Sequence, residues 1–105
     1  MGNPALTEAD FYILLSLLQP KHGYGIMQHV EQLSNGRVRL AAGTLYGALN
    51  TLLEKSWIVA LPEIRESRKK EYQITEHGRQ VLRDEIGRLN ELLDNGRRIL
   101  GGAEE

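Results

Sequence analysis

Residues 43–58 read GTLYGALNTLLEKSWI, and the fold turns on how that stretch divides. Leu45, Leu49, Leu52 and Leu53 recur at helical spacing, with Ala48 beside them, so the spacing predicts a helix from about Thr44 to Lys55 with one apolar face. Gly47, Asn50, Thr51 and Glu54 fall on the opposite side, with Thr44 and Tyr46 at its edges. A glycine there raises a question, because Gly costs roughly 1 kcal/mol relative to Ala in a helix interior. Counted from a cap near Gly43 or Thr44, Gly47 belongs to the first turn, where that cost does not apply in full. At Trp57 the period changes. WIVALPEI (57–64) and KKEYQIT (69–75) are β-rich runs flanking the charged RESR (65–68), which predicts a two-stranded hairpin with a polar tip and Pro62 near a strand end or edge.

Two helices precede this stretch. Thr7 and Asp10 fit an N-cap and the third helical position. TEADFYILLSLLQ (7–19) is apolar nearly all round, as a central core helix is, and Pro20 stops it. KHGYGIMQHVEQLSNG (21–36) gives a short loop and a second helix with Ile26, Met27, Val30 and Leu33 inward, ended by Asn35-Gly36. RVRLAAG (37–43) connects it to the third. Beyond the hairpin, Thr75 is a good N-cap for a last helix that carries Leu82, Ile86, Leu89, Leu93 and Leu100 in a heptad-like seam broadened by Val81, Leu92 and Ile99. GGAEE reads as a frayed tail. The expected fold is mainly α with a small β-hairpin. A winged helix-turn-helix spans residues 1–75, and a C-terminal dimerisation helix and tail span 76–105. In a winged helix-turn-helix the third helix enters the DNA major groove.

Bulk properties narrow the function classes. A chain of 105 residues suits one domain. It has no cysteine, which removes disulfides and thiolate metal sites. MGNPALTEAD carries no basic segment followed by an apolar one, and no apolar run is long enough to cross a bilayer, so a cytoplasmic protein without a membrane partner is expected. The net charge of −1 hides a basic middle third, +3 over residues 37–75, between ends of −2 each. His22, His29 and His77 lie on different elements and give no metal site. No nucleophile–base pair, paired carboxylates or phosphate-cradling glycine loop is present, so neither catalysis nor a cofactor is expected.

Taken in order, YILLSLL, HGYGIMQHVE, AAGTLYGALNTLLEKSWI and RKKEYQITEHG resemble the PadR family of bacterial transcriptional regulators over about residues 6–80. The single last helix is similar to the small subclass whose C-terminal region is one dimerisation helix. The resemblance implies a homodimeric winged-helix repressor whose DNA binding is released by a small molecule. The family often has Pro at the position of Gly47 and Gly at that of Ser56, and its wing tip frequently contains a Gly that RESR lacks.

The candidate sites follow from residue chemistry on this scaffold. A recognition helix reads bases through its N-terminal residues, so Thr44 is a base or phosphate contact, Tyr46 a phosphate contact through its hydroxyl, and Asn50 an adenine reader, with Gly47 and Thr51 on the same face. Alternatively, Thr44 only caps the helix and Tyr46 packs at the domain edge. Arg68, Lys69 and Lys70 supply wing cations for phosphates, or else form a solvated charged hairpin. Arg37 and Arg39 are weaker cationic candidates. The resemblance implies that the second helix points its N-terminus at the DNA backbone, where Lys21, His22 and Tyr24 of KHGYGI can join it; equally, Gly23 and Gly25 serve close helix approach and Tyr24 is core. The seam of Leu82, Ile86, Leu89, Leu93 and Leu100 exceeds what so small a domain can cover, so it is expected to pack on the first helix of a second copy, Phe11 and Tyr12 included. Two recognition helices about 34 Å apart then fit a palindromic double-stranded operator. The PadR resemblance further implies a flat aromatic effector between the subunits, as some family members bind, with Phe11, Tyr12 and the far end of the last helix as its candidate lining. The alternative function is a winged-helix protein–protein module, with the third helix docking a partner protein.

Overall fold

The computed structural model describes residues 5–62 and 70–102. The chain order is α1 (Glu8–Ser16), β1 (Lys21–His22), α2 (Gly23–Leu33), α3 (Ala42–Glu54), β2 (Ile58–Ala60), β3 (Glu71–Ile74) and α4 (Glu76–Gly102). This is a winged helix-turn-helix followed by one long helix. Its core gathers Ile13, Leu14 and Leu17 from α1 and the turn after it, Ile26 and Val30 from α2, and Leu45, Leu49 and Leu52 from α3. Trp57, Ile58, Tyr72 and Ile74 close it from the sheet, and Val81 and Leu82 from α4. The apolar face that the spacing predicts for α3 is therefore the buried one.

The sheet has three strands in the order β1-β3-β2, all antiparallel, rather than the two of a simple hairpin. Lys21 and His22 pair with Tyr72 and Glu71 on one edge of β3, while Ile58, Val59 and Ala60 pair with Ile74, Gln73 and Tyr72 on the other. A two-residue strand carries no readable alternation, so only tertiary pairing reveals it. The same sheet shortens α1. Leu17 leaves the helix and its carbonyl accepts a 2.9 Å bond from Ile74 N, so tertiary pairing ends α1 well before Pro20.

Local chemistry fixes the ends of the elements. Thr7 Oγ1 accepts from Asp10 N, as an N-cap should. His22 caps α2 through Nδ1, which accepts from Gly25 N at 3.2 Å. Asn35 and Gly36 take left-handed backbone after α2, as their sequence predicts. α3 starts at Ala42 behind an Ala41 cap that offers no side-chain bond, so Thr44 is not its cap and Gly47 lies in the second turn, not the first. Thr75 caps α4: its Oγ1 accepts from Gly78 N at 3.0 Å and lies 2.8 Å from the Ser56 carbonyl oxygen. None of the described helices is long and apolar enough to cross a membrane.

Candidate nucleic-acid interface

Among the described residues, none packs over the outward side of α3 at Gly47. Thr44, Tyr46, Gly47, Asn50 and Thr51 are exposed, and a side chain added at Gly47 would meet nothing within 4 Å. These residues share a face because Leu45, Leu49 and Leu52 commit the opposite face to the core. Thr51 Oγ1 donates 3.3 Å back to the Gly47 carbonyl, which holds its hydroxyl proton against its own helix. Asn50 projects from the middle of the exposed face.

Tyr46 differs from its neighbours. It is 46% exposed, yet the end of its ring lies against Gly23, the first residue of α2. It also lies close enough to the buried Tyr72 of β3 to influence its ionisation. Burial first, and then Tyr46, pushes the Tyr72 hydroxyl above its ordinary range. The phenol of Tyr46 thus stands where α2, α3 and the sheet meet.

The other sequence-derived candidates are placed less uniformly. Lys21 Nζ donates 2.7 Å to the Ser16 carbonyl, and His22 is occupied as a helix cap, so neither amine nor Nδ1 is idle. Because His22 Nδ1 accepts a proton bond, a neutral His22 carries its own proton on Nε2. Tyr24 is 62% exposed and is not a core residue. Arg37 is paired with Glu8 at the start of α1. The hydrogen bond that Arg37 donates to Glu8, and then the Glu8 charge, hold the guanidinium above its ordinary value, with Tyr12 adding a smaller contribution. Arg39 pairs more loosely with Glu31, at 3.5 Å. Lys70 is exposed at the entry to β3, whereas Arg68 and Lys69 lie outside the described residues.

The seam of α4 divides in two. Leu82 is only 5% exposed and belongs to the core of its own chain, so it drops out of the expected intersubunit stripe. Ile86, Leu89, Leu93 and Leu100, with Leu92 and Ile99, are 40–76% exposed. Phe11 and Tyr12 are half-buried against the core edge, their rings edge-to-face at 6.1 Å. Two clefts lie along α2, one of them lined by Tyr24, Met27, Arg39 and Leu40.

Two further groupings give little sequence signal. Glu85 is buried on α4 and accepts from Arg88 Nε at 2.8 Å, Arg88 Nη2 at 2.7 Å and Leu6 N at 3.2 Å, tying the approach to α1 onto α4. Arg88's hydrogen bonds hold the Glu85 carboxyl below its usual value against the opposing effect of burial. At the base of the wing, Lys55 Nζ lies 4.6 Å from the Trp57 ring centroid, and His77 meets that ring edge-on. Only the i, i+3 spacing of Glu85 and Arg88 could have hinted at either.

Known proteins share this arrangement. No curated protein sequence matches the chain significantly. Among solved structures, a PadR family transcriptional regulator from Eggerthella lenta superposes with a TM-score of 0.71 at 23% identity, covering 87% of this chain and 80% of that one. A PadR family transcription regulator from Clostridium difficile gives a TM-score of 0.71 at 21% identity, covering 90% and 99%. Bacillus subtilis PadR in complex with operator DNA gives 0.65 at 22% identity, covering 78% of this chain and 48% of that one. At such identities these likenesses establish the fold. The family model described as the transcriptional regulator PadR-like family matches residues 13–84, most of the chain. With the winged helix-turn-helix and its bare third-helix face in place, the chain belongs to the PadR-like family of transcriptional regulators.

Proposed function

We propose that this chain is a sequence-specific DNA-binding repressor, of the subclass with a single C-terminal dimerisation helix, that acts in the cytoplasm as a homodimer and performs no catalysis. The observation that carries the reading is the uncovered α3 face, Thr44 to Thr51, in a chain of a regulator family. Asn50 addresses a base edge, Thr44 and Tyr46 position the helix, and the wing cations Arg68, Lys69 and Lys70 supply sequence-independent affinity for phosphates. Lys21, His22, Tyr24 and Arg37 are peripheral backbone contacts, and Arg37 must first leave Glu8 to make one. The operator-bound PadR of Bacillus subtilis lends support through its shared fold.

The exposed half of α4 supports the dimer. Leaving Ile86, Leu89, Leu93 and Leu100 in water forgoes burial at roughly 25 cal/mol per Å² of apolar surface, and an isologous pair of such helices recovers it. A flat aromatic effector bound between subunits near Phe11 and Tyr12 would release the DNA by altering that pairing. The test is selection of duplexes from random DNA, followed by a salt titration on the winner. Saturable binding whose log affinity falls linearly with log salt, with a slope of about −0.9 per phosphate neutralised, is expected. No saturable duplex binding at low salt contradicts the reading and leaves the winged-helix protein–protein module in its place.

A further inference from the structure

We propose that Gly23 is the seat of Tyr46: the missing side chain at the first position of α2 holds the Tyr46 phenol in the pose from which its hydroxyl meets a DNA phosphate. A β-carbon at Gly23 would land on the Tyr46 hydroxyl oxygen and come within 2.9 Å of Cζ, while Leu45 Cδ2 lies at an ordinary 3.4 Å. The neighbouring glycines are different. A β-carbon at Gly25 meets its nearest atom at 3.7 Å, and those at Gly43 and Gly47 meet none within 4 Å. Among the described residues, the only side chain that collides with a β-carbon at Gly23 is that of Tyr46, which belongs to the exposed face of the third helix.

The seat matters because of what Tyr46 is. A tyrosine projecting freely from a helix samples several side-chain poses, and fixing it on contact with a ligand costs conformational entropy. Packed on Gly23 and beside Tyr72, the phenol has fixed neighbours before any DNA arrives, while the residue as a whole stays 46% exposed. Gly23 acts through Tyr46 and is a positioning residue. The inference rests on the reading that α3 binds DNA.

The test is a double-mutant cycle on duplex binding with Gly23→Ala, Tyr46→Phe and the pair, alongside urea unfolding of each. Each single substitution is expected to weaken binding to operator and to random duplex alike, by about tenfold per protomer, the scale of a hydrogen bond to a charged group. The double variant should lose no more than either single one. The salt slope should stay unchanged, because a neutral phenol displaces no counterion, whereas a general loss of structure would lower it. Losses that multiply in the double variant, or a Gly23→Ala protein that binds as tightly as the parent, overturn the seat. If Gly23→Ala fails to fold, Gly23→Ala/Tyr46→Ala decides: restored folding supports the collision with Tyr46, and continued failure overturns it. A parent protein that binds no duplex at all refutes the DNA reading itself.

Discussion

Ser56 has a left-handed backbone, with φ of 62°, at the corner where α3 gives way to β2. A β-carbon is strained in that region by roughly 1–2 kcal/mol, and glycine is not. Ser56→Gly should therefore raise unfolding stability by about 1 kcal/mol, read as a higher urea midpoint with an unchanged slope. The PadR resemblance makes this position legible, since the family often has Gly there. Gly78 is marked in sequence only as the last residue of the RKKEYQITEHG resemblance, which gives no physical reason for it. A β-carbon there would strike the Trp57 carbonyl and come within 2.7 Å of Ile74 Cγ1. Because a backbone carbonyl cannot swing aside, Gly78→Ala should destabilise by about 3 kcal/mol in the same urea experiment. The contact comes from a residue far along the chain, which periodicity cannot report.

At the scale of elements, α3 shows where periodicity succeeds and where it stops. The apolar spacing of Leu45, Leu49 and Leu52 marks the buried side, and with it the exposed side that carries Tyr46, Gly47 and Asn50. The start of the helix is less legible, because Ala41 enters with extended backbone and no capping side chain announces it. Gly47 consequently sits in the second turn and bears more of the glycine cost than a first-turn position would, on an open surface. Under the proposed DNA-binding function, a close approach of this turn to the groove accounts for it. Gly47→Gln should weaken operator binding at least tenfold, about 1.4 kcal/mol, while unfolding stability holds or rises, as checked by titration and urea melts. Asn50→Ala should cost about 1–3 kcal/mol on operator and little on random duplex, whereas Lys70→Ala should weaken both alike and lower the salt slope by about one. Strand β1 stays invisible in sequence because two residues define no alternation, and the bonds that occupy the Lys21 and His22 side chains, to the Ser16 carbonyl and from Gly25 N, are equally unannounced.

The whole molecule is elongated, 63 × 31 × 20 Å, because α4 runs on past the core. Sequence makes the length of that helix and its leucine stripe readable. It cannot tell that Leu82 stays in its own domain while Leu93 does not, since that depends on where the globular body ends. The Glu85–Arg88–Leu6 tie at that boundary adds a pH dependence. The folded carboxyl is held below its ordinary value, so its contribution is present above the usual carboxylate range and is lost as pH falls through the lowered folded value. Glu85→Gln should lower the urea midpoint at neutral pH and flatten its fall in acid. Beyond the tie, Leu93→Arg should place a charge in the proposed intersubunit seam and shift the protein to monomer in sedimentation, with the fold intact by circular dichroism. The central claim, a dimer reading a two-fold operator, is tested most directly by sedimenting the protein with a duplex selected from random DNA. A single complex of two chains per duplex that dissociates as salt rises is the predicted result; protein sedimenting apart from the duplex at low salt would contradict it.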